Sequence, residues 1–90
     1  MEPISDRTVL SAISSAIYSA TYRKLTEIEL KDLQRLLAEL SQRMRDRSSL
    51  DHEVQAICRL LEQSGLFEGK RNVAELDSAL AALSAVRARL

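Results

Sequence analysis

Histidine and cysteine, two residue types that often act in catalysis or bind metals, each occur once in this sequence. His52 is its one histidine and Cys58 its one cysteine. A catalytic histidine needs a nucleophile and an orienting partner, and no such set is recognisable around His52. A metal site needs several ligands at defined spacing, which one histidine and one cysteine do not supply. We therefore predict a protein that is not an enzyme and needs no metal or cofactor, with His52 exposed in a first helical turn and Cys58 acting as a small apolar residue.

Three arginines, Arg43, Arg45 and Arg47, follow one another near the end of a predicted helix. They suit a nucleic-acid or phosphate contact, and they also suit the favourable placement of cations at a helix carboxyl end. At about 100° per residue they diverge around the helix axis instead of forming one patch. Asp46 lies among them, and no aromatic residue is close by in sequence to stack on a base. We therefore favour the interpretation that these arginines are cations placed at the carboxyl end of the helix, and not a nucleic-acid contact.

The first predicted helix has an unusual face without charge. No charged residue lies between Arg7 and Arg23. Because a solvated helix face normally carries lysine, glutamate or arginine, a face of small residues and tyrosines resembles a surface that another helix can approach. The alternative is that these side chains simply face water. The residues opposite the apolar side of this helix are Ser11, Ser15, Tyr18, Ser19 and Tyr22.

Two further features could belong to such a surface. Ala81 and Ala85 lie on a small, sparsely charged face of the last predicted helix, where a second helix could approach closely, although alanine is also the best helix former. Phe67 is the sole phenylalanine. It could be an exposed anchor for a partner, or it could fold back with Leu66 over the end of the protein.

Four α-helices are predicted to position these residues. Thr26 and Glu29 have the spacing of a capping box at the start of the second helix, and Asn72 and Glu75 have the same spacing at the start of the fourth. Gly65 suits a left-handed cap at the end of the third. The connections are short, so neighbouring helices should be antiparallel. We predict an all-α protein, a small antiparallel bundle of helices at roughly 6–23, 27–47, 50–64 and 73–89, in one domain spanning 1–90 with a flexible N-terminus at 1–5.

Each predicted helix carries apolar residues at intervals of three and four, which places them on one core-facing side. In the first two helices these residues are Val9, Leu10, Ile13, Ala16, Ile17 and Ala20, then Leu30, Leu33, Leu37, Leu40 and Met44. In the last two they are Leu50, Val54, Ile57 and Leu61, then Val73, Leu76, Ala79, Leu80, Leu83 and Leu90, with the stem of Arg87 beside them.

Composition restricts the choice of partner and compartment. The 90 residues include 13 basic and 13 acidic side chains, so no overall field attracts nucleic acid or an acidic membrane. There is no basic stretch followed by an apolar run at the start, and no run of about 20 apolar residues. A single cysteine cannot form a disulfide within the chain. We expect a cytoplasmic protein that does not insert into membranes.

These observations favour a small non-catalytic protein-binding module of the regulator, antiactivator or co-chaperone type, which masks or stabilises a helical partner. The partner would be a helical segment of another protein, or a second copy in a homodimer, with no small-molecule substrate. A subunit of a larger structural or secretion-related helical assembly is the first alternative, and a weak nucleic-acid-binding regulator is the second. The predicted contact residues are Ser11, Ser15, Tyr18, Tyr22, Phe67, Ala81 and Ala85.

Overall fold

A computed structural model describes residues 4–90 and confirms an all-α bundle. Its four α-helices are Asp6–Tyr22 (α1), Glu27–Arg43 (α2), Ser48–Ser64 (α3) and Val73–Ala88 (α4), and a single 3₁₀ turn, Leu66–Glu68, follows α3. Consecutive α-helices pack against each other, and α4 also packs along α1, which closes the bundle. Among these four helix pairs, α1/α4 and α3/α4 make the most extensive contacts and α2/α3 makes the least extensive. Within residues 4–90, no helix combines the length and apolar character that crossing a bilayer requires.

The helix starts follow from capping side chains. The Ser5 hydroxyl accepts a hydrogen bond from the Thr8 amide at 3.2 Å, which begins α1. The predicted capping box of α2 is confirmed, because Thr26 and Glu29 each accept a bond from the other's backbone amide. At α4 only one half of the second predicted box forms: Asn72 accepts from the Glu75 amide at 3.4 Å.

The end of α2 differs from the prediction. The helix stops at Arg43, four residues before the predicted end at position 47. Met44 is fully buried, and the Arg47 amide donates to its carbonyl at 2.9 Å. The chain therefore turns around a side chain that is inserted into the core, and α3 begins at Ser48 rather than at position 50. Consequently Arg45 and Arg47 lie in the connecting turn and not on α2.

The core combines the apolar sides of all four helices. On α4 the predicted core side is partly wrong: Val73 is 45 % exposed, whereas Val86, which was not predicted to face the core, is fully buried. Apolar residues surround much of α4, so their spacing alone allows more than one choice of inner face. The buried apolar residues are Val9, Leu10, Ile13, Ile17, Ala20, Leu25, Leu33, Leu37, Leu40, Met44, Leu50, Val54, Ile57, Leu61, Leu66, Leu76, Ala79, Leu83 and Val86.

Arginine side chains join the ends of neighbouring helices. At the end of α2, the Arg43 guanidinium donates to the Ile4 carbonyl at 2.6 Å, to Asp6 Oδ1 at 3.0 Å and to Glu39 Oε1 at 2.9 Å. These bonds hold the end of α2 against the start of α1, so the two helices are antiparallel. Ile4 and Ser5 thus make defined hydrogen bonds, while the rest of the predicted flexible N-terminus, residues 1–3, lies outside the described residues.

Two other arginines do the same for α4. Arg71, just before α4, donates to the carbonyls of Ala20 and Thr21 at the end of α1, at 3.1 and 2.7 Å. Arg89, just after α4, pairs with Glu53 near the start of α3 at 2.8 Å. Both of these neighbouring pairs are therefore antiparallel, as predicted.

Candidate protein-binding surfaces

The outer face of α1 carries a row of exposed, uncharged side chains. Ser11, Ser15, Tyr18 and Tyr22 follow one another at intervals of four, three and four residues, which aligns them along the helix. All are exposed, and the two tyrosines are 57 % and 69 % exposed. We call these four residues the α1 stripe. The structure thus brings together the part of the predicted surface that lies on α1.

The two tyrosines of the α1 stripe form a pair. Their ring centroids are 5.0 Å apart with the planes inclined by 59°, and their hydroxyls share a hydrogen bond of 3.1 Å. This bond and the charge interaction between the two hydroxyls, followed by smaller effects of desolvation and of the Asp77 carboxylate on α4, raise the pKa of the Tyr22 hydroxyl above its ordinary value. The two contacting rings form one continuous aromatic surface on the outside of α1.

Of the two predicted contact alanines on α4, Ala85 lies on a surface separate from the α1 stripe. Ala81 and Ala85 are exposed, as predicted from their face. Ala85, however, lines an apolar groove of about 310 Å³ between α3 and α4, on the side of α4 that packs against α3. The other residues of that groove are Glu53, Ala56, Ile57, Leu60 and Ala82.

Phe67 lies on a third surface. Gly65 and Gly69 take left-handed conformations on either side of the 3₁₀ turn, with φ of 76° and 86°. Within the turn Leu66 is buried, whereas Phe67 is half-buried and packs against the core. Leu66 therefore folds back over the end of the bundle, as one of the two predicted alternatives has it. Phe67 follows it only in part, because one edge of its ring stays accessible. That edge lines an open groove of about 520 Å³ between α2 and α3, together with Gln34, Leu37, Ala38, Ser41, Gln55, Cys58, Glu62 and Glu68.

This groove continues towards the other end of the helix pair. A second open space of about 470 Å³ shares Ala38, Ser41 and Gln55 with the first and is also bordered by Arg45 and Asp51. Where the two spaces meet, the Gln55 amide donates to the Ser41 hydroxyl at 2.5 Å. We call the combined space the α2/α3 groove. It exists because α2 and α3 are the least closely packed neighbours in the bundle.

The residues with potential reactivity are unremarkable in their surroundings. Cys58 is half-buried at the floor of the α2/α3 groove. Burial, with a smaller effect of the Glu62 carboxylate, raises the pKa of its thiol, so the thiol is protonated and weakly nucleophilic near neutral pH. His52 is exposed at the start of α3. Within residues 4–90, no three histidine, cysteine, aspartate or glutamate side chains form a cluster that could hold a metal ion.

The three arginines do not form a common surface. Arg43 is engaged by two carboxylates, and these hydrogen bonds raise the pKa of its guanidinium. Arg45 borders the α2/α3 groove, and Arg47 is exposed in the turn before α3. Arg43 is the last residue of α2, whereas Arg45 and Arg47 lie in the turn that follows it, so the three arginines do not share one helix.

The geometry divides the predicted contact residues among separate surfaces. Comparison with protein families, with curated proteins and with solved structures finds no match to this chain. The α1 stripe holds Ser11, Ser15, Tyr18 and Tyr22, the α3/α4 groove holds Ala85, the α2/α3 groove holds Phe67, and Ala81 is exposed on α4.

Sequence reasoning missed the polar members of the α2/α3 groove. Gln55 and Glu62 are exposed residues of α3, and both lie on the side of this helix that borders the groove shared with α2. Periodicity identifies the face of one helix and contains no information on how far apart two helices pack. The spacing of Leu37 and Cys58 on their own helices therefore could not indicate an open groove between them.

Proposed function

We propose that this chain is a non-catalytic protein-binding module that masks or stabilises a helical segment of another protein through the α1 stripe. The observation that carries the proposal is the exposed Tyr18–Tyr22 pair on a helix face without charge. Tyrosine supplies a large amphipathic contact area with few rotatable bonds, and it is enriched where proteins bind one another.

The arrangement of the pair supports binding in two ways. The contact between the rings and the hydrogen bond between the hydroxyls already restrict both side chains, so little further side-chain entropy is lost when a partner docks. The serines beside them are small, which allows the backbone of a partner helix to approach α1 closely. The α1 residues of this face carry no charge, so a partner docking on them desolvates fewer ionised groups than an interface at Glu27 or Lys31 would require, with the Asp77 carboxylate of α4 nearby at the Tyr22 end.

A second copy of the chain is a competing occupant of the same stripe. The net charge of zero does little to keep two copies apart. Light scattering across a dilution series separates the two occupants before any partner is sought. A monomer near 10.1 kDa leaves the α1 stripe free for another protein, and a stable dimer that Tyr18→Ala disrupts assigns the stripe to self-association.

The direct test places a photo-crosslinking phenylalanine analogue at Tyr18 in the source cells. We expect illumination to join the chain to one predominant protein through this position. The matched control places the same analogue at Ile28, which is 75 % exposed at the start of α2 and lies outside the stripe. Equal crosslinking from both positions, or none from Tyr18, would contradict the proposal.

A further inference from the structure

We propose that the α2/α3 groove is a second binding site, independent of the α1 stripe, for an amphipathic helix of another protein that places a lysine or arginine against Glu62 and Glu68. The floor of the groove near this end is apolar and is formed by Leu37, Cys58 and Phe67. Apolar residues on one face of the incoming helix would cover this floor. Its cation would lie at the rim, where the two carboxylates are.

The groove selects a helix rather than an extended peptide. Its walls are α2 and α3, whose backbone amides and carbonyls are bonded within the helices themselves. An extended peptide would find no backbone groups to pair with and would leave its own unsatisfied, whereas a helix satisfies its backbone internally. Two adjacent helices also offer a channel along their length into which the side chains of a third helix can pack.

The charge at the Phe67 end selects a cation. Glu62 and Glu68 are both exposed, and neither forms an ion pair with another residue of the described range 4–90. The carboxyl end of α3 lies here too, and its last turn contains no basic residue. The negative end of the helix dipole adds to these two unpaired carboxylates. Lys70, beside Gly65, and Lys24, near Gly69, are cations at this end, but they border a separate space next to α1 and do not line the α2/α3 groove. The other end of the groove differs, because there Arg45 and Asp51 offset each other.

Two synthetic peptides test the proposal. Both are alanine-based helices of about 14 residues, roughly 21 Å long, with leucines and one tryptophan along one face. They differ only at two positions near one end, which are lysine in the first peptide and glutamate in the second. Because the chain contains no tryptophan, the fluorescence of the peptide reports binding without interference. The rate at which a maleimide modifies Cys58 reports whether the groove is covered.

We expect the lysine peptide to bind about five-fold more tightly than the glutamate peptide, the preference that about 1 kcal/mol of exposed charge pairing produces. It should also slow the modification of Cys58. The double variant E62Q/E68Q should abolish the preference between peptides. The matched control E27Q/D32N removes two exposed carboxylates of α2 that do not border the groove, and it should retain the preference.

Several results would overturn the proposal. One is that neither peptide protects Cys58, and another is that both peptides bind equally to the unmodified chain. Loss of the preference in E27Q/D32N would attribute it to overall charge. Protection of Cys58 that rises with protein concentration, without any peptide, would assign the groove to a second copy of the chain. The variant Y18A/Y22A should bind the lysine peptide normally, so failure here is distinguishable from failure of the α1 stripe.

Discussion

Arg23 and Glu29 join α1 to α2 through two parallel hydrogen bonds of 2.8 and 2.6 Å. The same carboxylate accepts the Thr26 amide at 2.9 Å, so one glutamate both caps α2 and ties it to the end of α1. The hydrogen bonds from Arg23, followed by that from the Thr26 backbone, lower the pKa of Glu29 from 4.5 to about 2.

This lowered pKa predicts a stability change in acid. A carboxylate whose pKa falls on folding stabilises the native state above its unfolded pKa, and this contribution is lost as the pH falls from about 4.5 towards 2. In E29Q, the free energy of unfolding should therefore depend less on pH within this window. Urea denaturation at a series of pH values measures the difference. E27Q is the matched control, because Glu27 is exposed and its nearest cation, Lys31 Nζ, is 3.8 Å away. If E27Q reduces the pH dependence of the free energy of unfolding as much as E29Q does, Glu29 is not its source.

The hydrogen bonds of Arg71 to the end of α1 are expected to stabilise the packing of α1 against α4. Its guanidinium satisfies two carbonyls at the end of α1, where helix carbonyls lack partners within the helix. R71A should lower the free energy of unfolding by about 1 kcal/mol, measured by urea denaturation. R59A removes an arginine that is exposed on α3 and whose side chain makes no hydrogen bond or ion pair within residues 4–90. If R59A is as destabilising as R71A, the link through the carbonyls is not the cause.

The backbone conformation of Gly65 predicts that this position does not tolerate a side chain. Its φ is 76°, and a Cβ built there would lie 2.7 Å from Lys70 Cδ and 3.1 Å from Lys70 Cβ. G65A should lower the free energy of unfolding by about 2 kcal/mol, because left-handed strain and crowding add. At Gly69 the φ is 86°, but the nearest contact would be an ordinary 3.4 Å to Lys24 Cε, so G69A should be less destabilising.

A third variant separates the two causes at Gly65. Lys70→Ala removes the outer part of the side chain that a Cβ at Gly65 would meet, so G65A should be less destabilising in this background. The left-handed strain would remain. Equal losses for G65A in both backgrounds, measured by urea denaturation, would mean that crowding contributes nothing.

The partly buried position of Cys58 predicts that its thiol is alkylated slowly in the folded chain. Burial raises the pKa of the thiol from 9.0, and Glu62 adds to the effect. Alkylation should therefore be slower in the native protein than in urea at the same pH. E62Q should accelerate the native reaction slightly, and E27Q should leave it unchanged. A native rate equal to the rate in urea would show that the thiol is neither buried nor perturbed.

The fold could be predicted from local sequence to the extent that side chains mark helix ends. The Thr26 and Glu29 pair and the left-handed Gly65 identified two boundaries correctly, because their chemistry acts within a few residues. The end of α2 was placed four residues late, since Met44 ends the helix through burial in the bundle and no glycine or proline marks it. On α4, Val86 was missed because alanines and leucines on several sides leave the inner face undetermined by spacing.

The candidate surfaces were predictable to a different degree. Exposure of Tyr18 and Tyr22 follows from their position opposite the apolar side of one helix, so the sequence contained this information. The separation of Phe67 and Ala85 onto two grooves depends on how the helices are arranged around the core, which spacing within one helix does not contain. The arginine links made by Arg43, Arg71 and Arg89 join residues far apart in the chain and lacked a local signal for the same reason.

The measurement that tests the central proposal most directly is the affinity of the chain for the protein that crosslinks to position 18. Calorimetric titration should give at least ten-fold weaker binding for Y18A/Y22A, because truncating paired aromatic anchors at an interface typically costs more than about 1.4 kcal/mol. Y18F/Y22F, which keeps the rings, should lose much less, and I28A should bind like the unmodified chain. Circular dichroism should show equal helicity in all variants. Unchanged affinity of Y18A/Y22A at full helicity would contradict the assignment of the α1 stripe as the binding surface.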